Sequence, residues 1–133
     1  MTPIQIELVR TTWKQVQPIQ ETAAELFYNK LFELDPKLRP MFKGDITEQG
    51  RKLMRMLGIA VNGLDHLDAL RPALVDLGRR HAGYGVTMDD YGTVAVALLW
   101  TLEQGLGEAF TAEVRNAWTE AYMVLATTMQ TYH

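Results

Sequence analysis

Apolar residues recur along this chain at steps of three and four almost from end to end, the spacing of buried helix faces rather than strands. Thr2-Pro3-Ile4-Gln5 opens the first run: Thr2 caps, Pro3 takes the first helical position and Gln5 completes a capping box. Ile6, Val9, Trp13 and Val16 follow on one face, and Pro18 ends the segment. A second helix is predicted from about Gln20 to Leu34, with Ala24, Phe27, Leu31 and Leu34 as its stripe and Tyr28 on the flank beside Phe27. Between Pro36 and Pro40 only a short helical turn fits, because the residue before each proline is steered out of helical geometry. Phe42 falls at the corner just beyond.

Asp45, with Glu48 three residues on, is the next start signal. Behind it Leu53, Met56 or Leu57, Ala60 and Leu64 form an apolar face, with Gln49 one turn ahead of Leu53 on the same side, until Asn62-Gly63 weakens the helix. The segment from Leu67 to Ala82 carries Leu70, Leu74, Leu77 and His81 at steps of 4, 3 and 4, and Gly83-Tyr84-Gly85 stops it. Thr87 opens a helix with Tyr91, Val94, Leu98 and Leu102 inward, ending near Gly105-Leu106-Gly107. Thr111 opens the last, with Val114, Trp118, Tyr122, Leu125 and Met129 inward. No alternating run, internal repeat or linker interrupts the pattern. The expected architecture is a single all-α domain over residues 1–133, with six long helices and one short one.

Composition narrows the chemistry. At 133 residues the chain is long enough to close a core without disulfides, and 47% hydrophobic with 22% charged residues argues against disorder. Zero cysteines exclude thiolate nucleophiles, iron–sulfur clusters, Cys-ligated zinc and covalently attached haem, so any transition metal must be held by nitrogen or oxygen. A net charge of −3 argues against nucleic acid as a partner. No apolar run approaches the roughly 18 residues of a membrane span, and no basic stretch followed by an apolar run opens the chain. A cytoplasmic protein without a membrane partner is expected.

Histidine-dependent chemistry has three candidates: His66, His81 and His133. His66 falls in the polar connection Leu64-Asp65-His66-Leu67-Asp68 and is expected at the surface. His133 ends the chain and is assigned no role. His81 shares its face with three leucines, so it is either a core histidine satisfied by backbone or a ligand. The seven methionines form a second ligand pool, though scattered methionines more often fill gaps in a core.

Spacing adds to this. Phe42 lies six residues after Pro36 and fourteen after Tyr28, Gln49 seven further on, and His81 another 32 beyond. Together with Leu26-Phe27-Tyr28-Asn29-Lys30-Leu31-Phe32, Gln49-Gly50-Arg51-Lys52-Leu53-Met54, Arg79-Arg80-His81 with Tyr84-Gly85-Val86, and Ala117-Trp118-Thr119-Glu120-Ala121-Tyr122, the chain resembles a globin over essentially its whole length. More narrowly, it is similar to single-domain bacterial haemoglobins of the flavohaemoglobin and neuroglobin-like branch.

The resemblance implies a globin fold, a 3-over-3 helical sandwich around a pocket that holds haem b (iron protoporphyrin IX) non-covalently. It makes His81 the proximal iron ligand, stacks Phe42 on the porphyrin, and lines the slot with Leu53, Leu77 and Val86. On the distal side it places Tyr28 and Gln49, whose donors would bond to polarised dioxygen. Read from the residues alone, Phe42 is equally an ordinary core aromatic, and Tyr28 and Gln49 could bond each other or backbone at a helix flank. Lys52, Arg79, Arg80 and Tyr84 are either haem-propionate partners or solvated. In flavohaemoglobins a tyrosine and a glutamate flank the proximal histidine. Tyr91 matches the tyrosine, but His133 falls where the glutamate is expected.

Three functions follow as expectations. The first is reversible binding of O2, CO and NO at a five-coordinate ferrous haem, since the amide of Gln49 ligates iron poorly. The second is a nitric oxide dioxygenase served by a separate reductase, because 133 residues leave no room for a flavin domain. The third is a haem-based sensor or a haem-free helical adaptor. A monomer or weak homodimer is expected.

Overall fold

The local signals for helix starts are realised as hydrogen bonds. Thr2 and Thr87 each form a capping box, with Gln5 and Asp90, while Asp45 caps through Thr47 N and Thr111 through Val114 N. The computed structural model describes residues 1–42 and 44–130. It contains α1 (Pro3–Val16), α2 (Gln20–Leu34), α3 (Ile46–Asn62), α4 (Leu67–Gly83), α5 (Met88–Leu106) and α6 (Ala112–Met129). Among the described residues there is no strand. The short helical segment expected after Pro36 is a 3-10 turn, Pro36–Met41, whose N-cap Asp35 accepts from Lys37 N. Two further 3-10 turns, Gln17–Ile19 and Gly107–Ala109, were not expected. The first spans Pro18, which has no N–H to donate, so the backbone tightens there instead of extending α1. The assignment made for His133 lies outside the described residues.

Helix packing gives two layers. α2 packs on α3 and α5, and α1 and α4 both pack on α6. Val9, Trp13, Val16, Phe27, Leu31, Leu98, Leu102, Val114 and Trp118 fill the core between them. A polar bond fixes the α1–α6 register: Trp118 Nε1 donates to Thr12 Oγ1 at 2.9 Å, and Thr12 donates in turn to Leu8 O at 2.7 Å. Leu34 departs from its expected inward position and is 43% exposed, because α2 ends there and the chain turns away at Asp35-Pro36.

Glycines set the two closest crossings. A Cβ on Gly50 of α3 would come within 2.9 Å of Ala24 Cβ on α2, and one on Gly78 of α4 would overlap the Met129 carbonyl at the end of α6. Both helices are thus held nearer to a neighbour than any side chain would allow. Gly78→Ala should cost about 2 kcal/mol or more, since the obstacle is backbone that cannot rotate aside. Urea unfolding of the variant against wild type measures it, and a change within 0.5 kcal/mol, the size of an ordinary surface substitution, would contradict the packing described.

Candidate functional site

Several apolar stripes are fully buried over part of their length and only half-buried elsewhere. Val61, Leu64, Leu74, Leu98, Leu102 and Trp118 are sealed, whereas Phe42, Leu53, Leu57, Leu77, Val86, Tyr91, Val94, Tyr122 and Leu125 are not. Helical geometry explains the difference. On α3, Gly50, Met54 and Val61 face α2 and α1, and the face carrying Gln49, Leu53 and Leu57 lies about a quarter turn away. On α4, Leu74 and Gly78 face α6, with Leu77 and His81 turned to one side of them. α3 and α4 are consecutive but pack on different helices, and the half-buried apolar residues on their remaining faces are the candidate lining of the expected slot.

His81 lies in the last turn of α4, one turn after Gly78. Its Nδ1 is 2.8 Å from Leu77 O. A carbonyl can only accept, so Nδ1 carries the hydrogen and the lone pair of the neutral ring is on Nε2, which has no partner among the described residues. The turn after α4 folds back onto the same residue, with Tyr84 N and Val86 N both donating to His81 O at 3.1 Å and Gly85 at φ +91°. That turn brings Val86 to the slot. Tyr84 is 68% exposed, its ring centroid 6.5 Å from the imidazole. Arg80 is exposed and paired with Asp76 at 3.3 Å, and Lys52 is exposed with no ion pair among the described residues.

Tyr28 was expected on a helix flank, but it is 4% exposed and walled by three rings. Phe27 and Phe42 meet it edge-on with centroids at 5.1 and 5.3 Å, and Phe32 stacks at 6.0 Å. Its hydroxyl has no hydrogen-bond partner among the described residues, and burial raises its pKa from 10.0 to about 12. Gln49 occupies the first turn of α3, beside Gly50 at the α2 crossing. It is exposed and makes no side-chain bond to Tyr28. The two donors therefore do not satisfy one another.

Tyr122 was foreseen only as a member of an apolar stripe. Its hydroxyl donates to Tyr91 O at 2.6 Å, tying α6 to the start of α5, and burial with the nearby Tyr91 raises its pKa. No local pattern marks this link, which joins residues 31 apart. His66 is exposed, 3.6 Å from Asp65. Among the described residues no three His, Asp or Glu side chains gather to hold a bare metal ion. A lone imidazole beside an apolar slot instead fits an iron that brings its in-plane ligands with it, as haem does. A concavity of about 850 Å³ lies on the outer side of the α2–α3 crossing, among Glu21, Glu25, Arg51 and Arg55, and meets the expected site only at the edge of Tyr28.

The sequence model of the globin family matches residues 25–129. The chain belongs to the globin family. This globin is 31% identical to the neuroglobins of Chaenocephalus aceratus and Danio rerio, in each case over 92% of its own length and 86% of theirs. A proposed nitric oxide dioxygenase from Rhodothermus marinus, engineered as a carbene transferase, superposes with a TM-score of 0.88 at 27% identity, covering 98% of this chain and 92% of that one. Globins typically bind haem and gas ligands such as O2, and no helix among the described residues is long and apolar enough to cross a membrane.

The raised pKa of Tyr28 carries a signed consequence. Its folded pKa of about 12 lies above the ordinary 10.0, so its contribution to stability is complete below pH 10 and is lost as pH climbs towards 12. In urea titrations over that window, wild type should lose stability faster than Tyr28→Phe by up to about 1.4 kcal/mol per pH unit. Parallel curves would mean that the hydroxyl is not desolvated.

Proposed function

We propose that this globin, as one domain over residues 1–133, holds haem b non-covalently and uses it to bind dioxygen reversibly, with CO and NO as further ligands. The reading rests on one observation above all: His81 Nδ1 is committed to Leu77 O, which leaves the Nε2 lone pair free beside an apolar slot. When bound, haem supplies a ferrous iron that takes these gases and draws negative charge onto dioxygen. His81 holds that iron, while Phe42, Leu53, Leu77, Val86 and Tyr91 shield the porphyrin from water. Lys52, Arg80 and Tyr84 are the candidates at the rim for the propionates. Tyr28 presents a hydroxyl that no protein group competes for, and Gln49 adds a second donor that neither titrates near neutral pH nor ligates iron well. Gln49 would therefore leave the distal side open to an added gas.

His81→Ala should abolish haem retention, whereas His66→Ala should not; the Soret band after haem reconstitution reads this directly. Each distal donor contributes about 1.5 kcal/mol, so replacing both by Phe and Leu should speed oxygen release on the order of a hundredfold in stopped-flow displacement by CO. Tyr28→Phe should have the larger share. Tyr28 is fixed by its aromatic walls, whereas an exposed glutamine gives up about 1.5 kcal/mol of rotamer freedom to make the same bond. Unchanged release in both single variants, or a six-coordinate ferrous spectrum, would overturn the distal assignment.

A second reading is favoured by the likeness to the Rhodothermus marinus protein: conversion of nitric oxide and dioxygen to nitrate. Each turnover combines one NO, one O2 and one electron, so it depends on a reductase to supply the electron. Mixing the oxygenated protein with NO should give one nitrate per haem. Repeated turnover on adding a reductase and its nicotinamide would establish the enzyme, and a single turnover would leave a binding protein.

A further inference from the structure

The joint between α3 and α4 is held by a residue from neither helix. Arg10 of α1 donates through Nε to Val61 O at 3.4 Å and through Nη2 to Asn62 O at 2.7 Å and Asp65 Oδ1 at 2.6 Å. It thereby binds two carbonyls at the end of α3, of which Val61 O also accepts from Leu64 N, and the carboxylate of the connecting loop. α4 begins two residues after Asp65 with little local support. Its N-cap, His66, makes no side-chain cap bond, and Pro72 interrupts its backbone ladder. Gly63 accepts Leu70 so closely that a Cβ there would sit 2.5 Å from Leu70 Cδ1, which presses the first turns of α4 against the same joint.

α4 therefore has two anchors. Leu74 and Gly78 hold the part of α4 towards His81 on α6, and Gly78, at the closest approach to Met129, is the pivot about which the earlier turns can swing. The joint lies twelve residues earlier, about 18 Å along the axis, and supplies the second point that sets the direction of the helix. If the joint moved by about 2 Å, His81, three residues from the pivot, would shift by only about 0.5 Å. The walls of the slot would separate mainly at their joined end.

We propose that Arg10 is a positioning residue for the slot: it sets the spacing of the α3 and α4 walls at their joined end and so governs how firmly the slot grips haem, leaving ligation by His81 nearly untouched. The inference rests on reading the slot as the haem site.

The test uses the full chain with Arg10→Met, the conservative Arg10→Lys, and Thr12→Val as a control that removes the Trp118 partner on the same helix without touching the joint. Ferric haem transfer to excess apomyoglobin should be roughly tenfold faster for Arg10→Met, with partial rescue in Arg10→Lys. Soret maxima and CO association should stay as in wild type. In the haem-free chain, amides of residues 67–74 should lose hydrogen-exchange protection in Arg10→Met and keep it in Thr12→Val. Equal haem loss in Arg10→Met and Thr12→Val at matched urea stability, or unchanged protection of residues 67–74, would overturn the proposal. Wild type that takes up no haem would instead overturn the functional reading, and the exchange measurement would still decide whether Arg10 holds the joint.

Discussion

The site depends on a slot that its own apolar walls do not close. Leaving Leu53, Leu57 and Leu77 half-buried is unfavourable for a chain that could bury them, since burial would gain dispersion and release water. Closure is blocked because each wall is committed elsewhere. Gly50 lets α3 lie on Ala24 of α2, and Gly78 lets α4 lie on the Met129 carbonyl of α6. Both crossings are closer than any Cβ permits, so the two walls are drawn apart by contacts stronger than the one they forgo.

With the walls fixed, the polar groups acquire distinct physical characters. Tyr28 is immobilised and desolvated among Phe27, Phe32 and Phe42, while Gln49, only a helix turn into α3, remains in water. Of the two proposed distal donors, one is pre-organised and the other adaptable. Phe42 serves both sides: it closes the aromatic wall of Tyr28 and is expected to cover the porphyrin. The His81 imidazole is oriented by the helix that carries it, through the carbonyl of Leu77 one turn earlier, so no other element is needed to select its tautomer.

Much of this was legible from the residues. Starts at Thr2, Asp45, Thr87 and Thr111, the breaks at Asp35-Pro36 and Gly83-Tyr84-Gly85, and the stripe through Leu70, Leu74, Leu77 and His81 are local signals, and the helices begin and end within a residue or two of them. Features that depend on distant partners were not legible. Nothing around Arg10 announces that it caps a helix 51 residues away, and nothing around Tyr122 announces the Tyr91 carbonyl. Gly50 and Gly78 sit inside helical runs where glycine ordinarily weakens a helix, and only the neighbouring backbone explains them. Tyr28 stands beside Phe27 on the flank of its stripe, and its full burial comes from the Phe42 corner, which periodicity within α2 does not encode.

The partner of His81 also bears on what the site can do chemically. A histidine that donates its Nδ1 hydrogen to a carboxylate becomes a more basic ligand and pushes electron density onto iron, which favours chemistry that breaks the O–O bond. Here the acceptor is the neutral carbonyl of Leu77, and it is already engaged at 2.8 Å. Among the described residues no acid stands at the imidazole; Tyr91 is half-buried, and its carbonyl is bound by the Tyr122 hydroxyl. A neutral acceptor fixes orientation while adding little basicity, so were His81 to hold an iron, it would do so without the push that a carboxylate gives. The neutral acceptor at His81 is thus one more observation in favour of the proposed ligand-binding role over the enzymatic one.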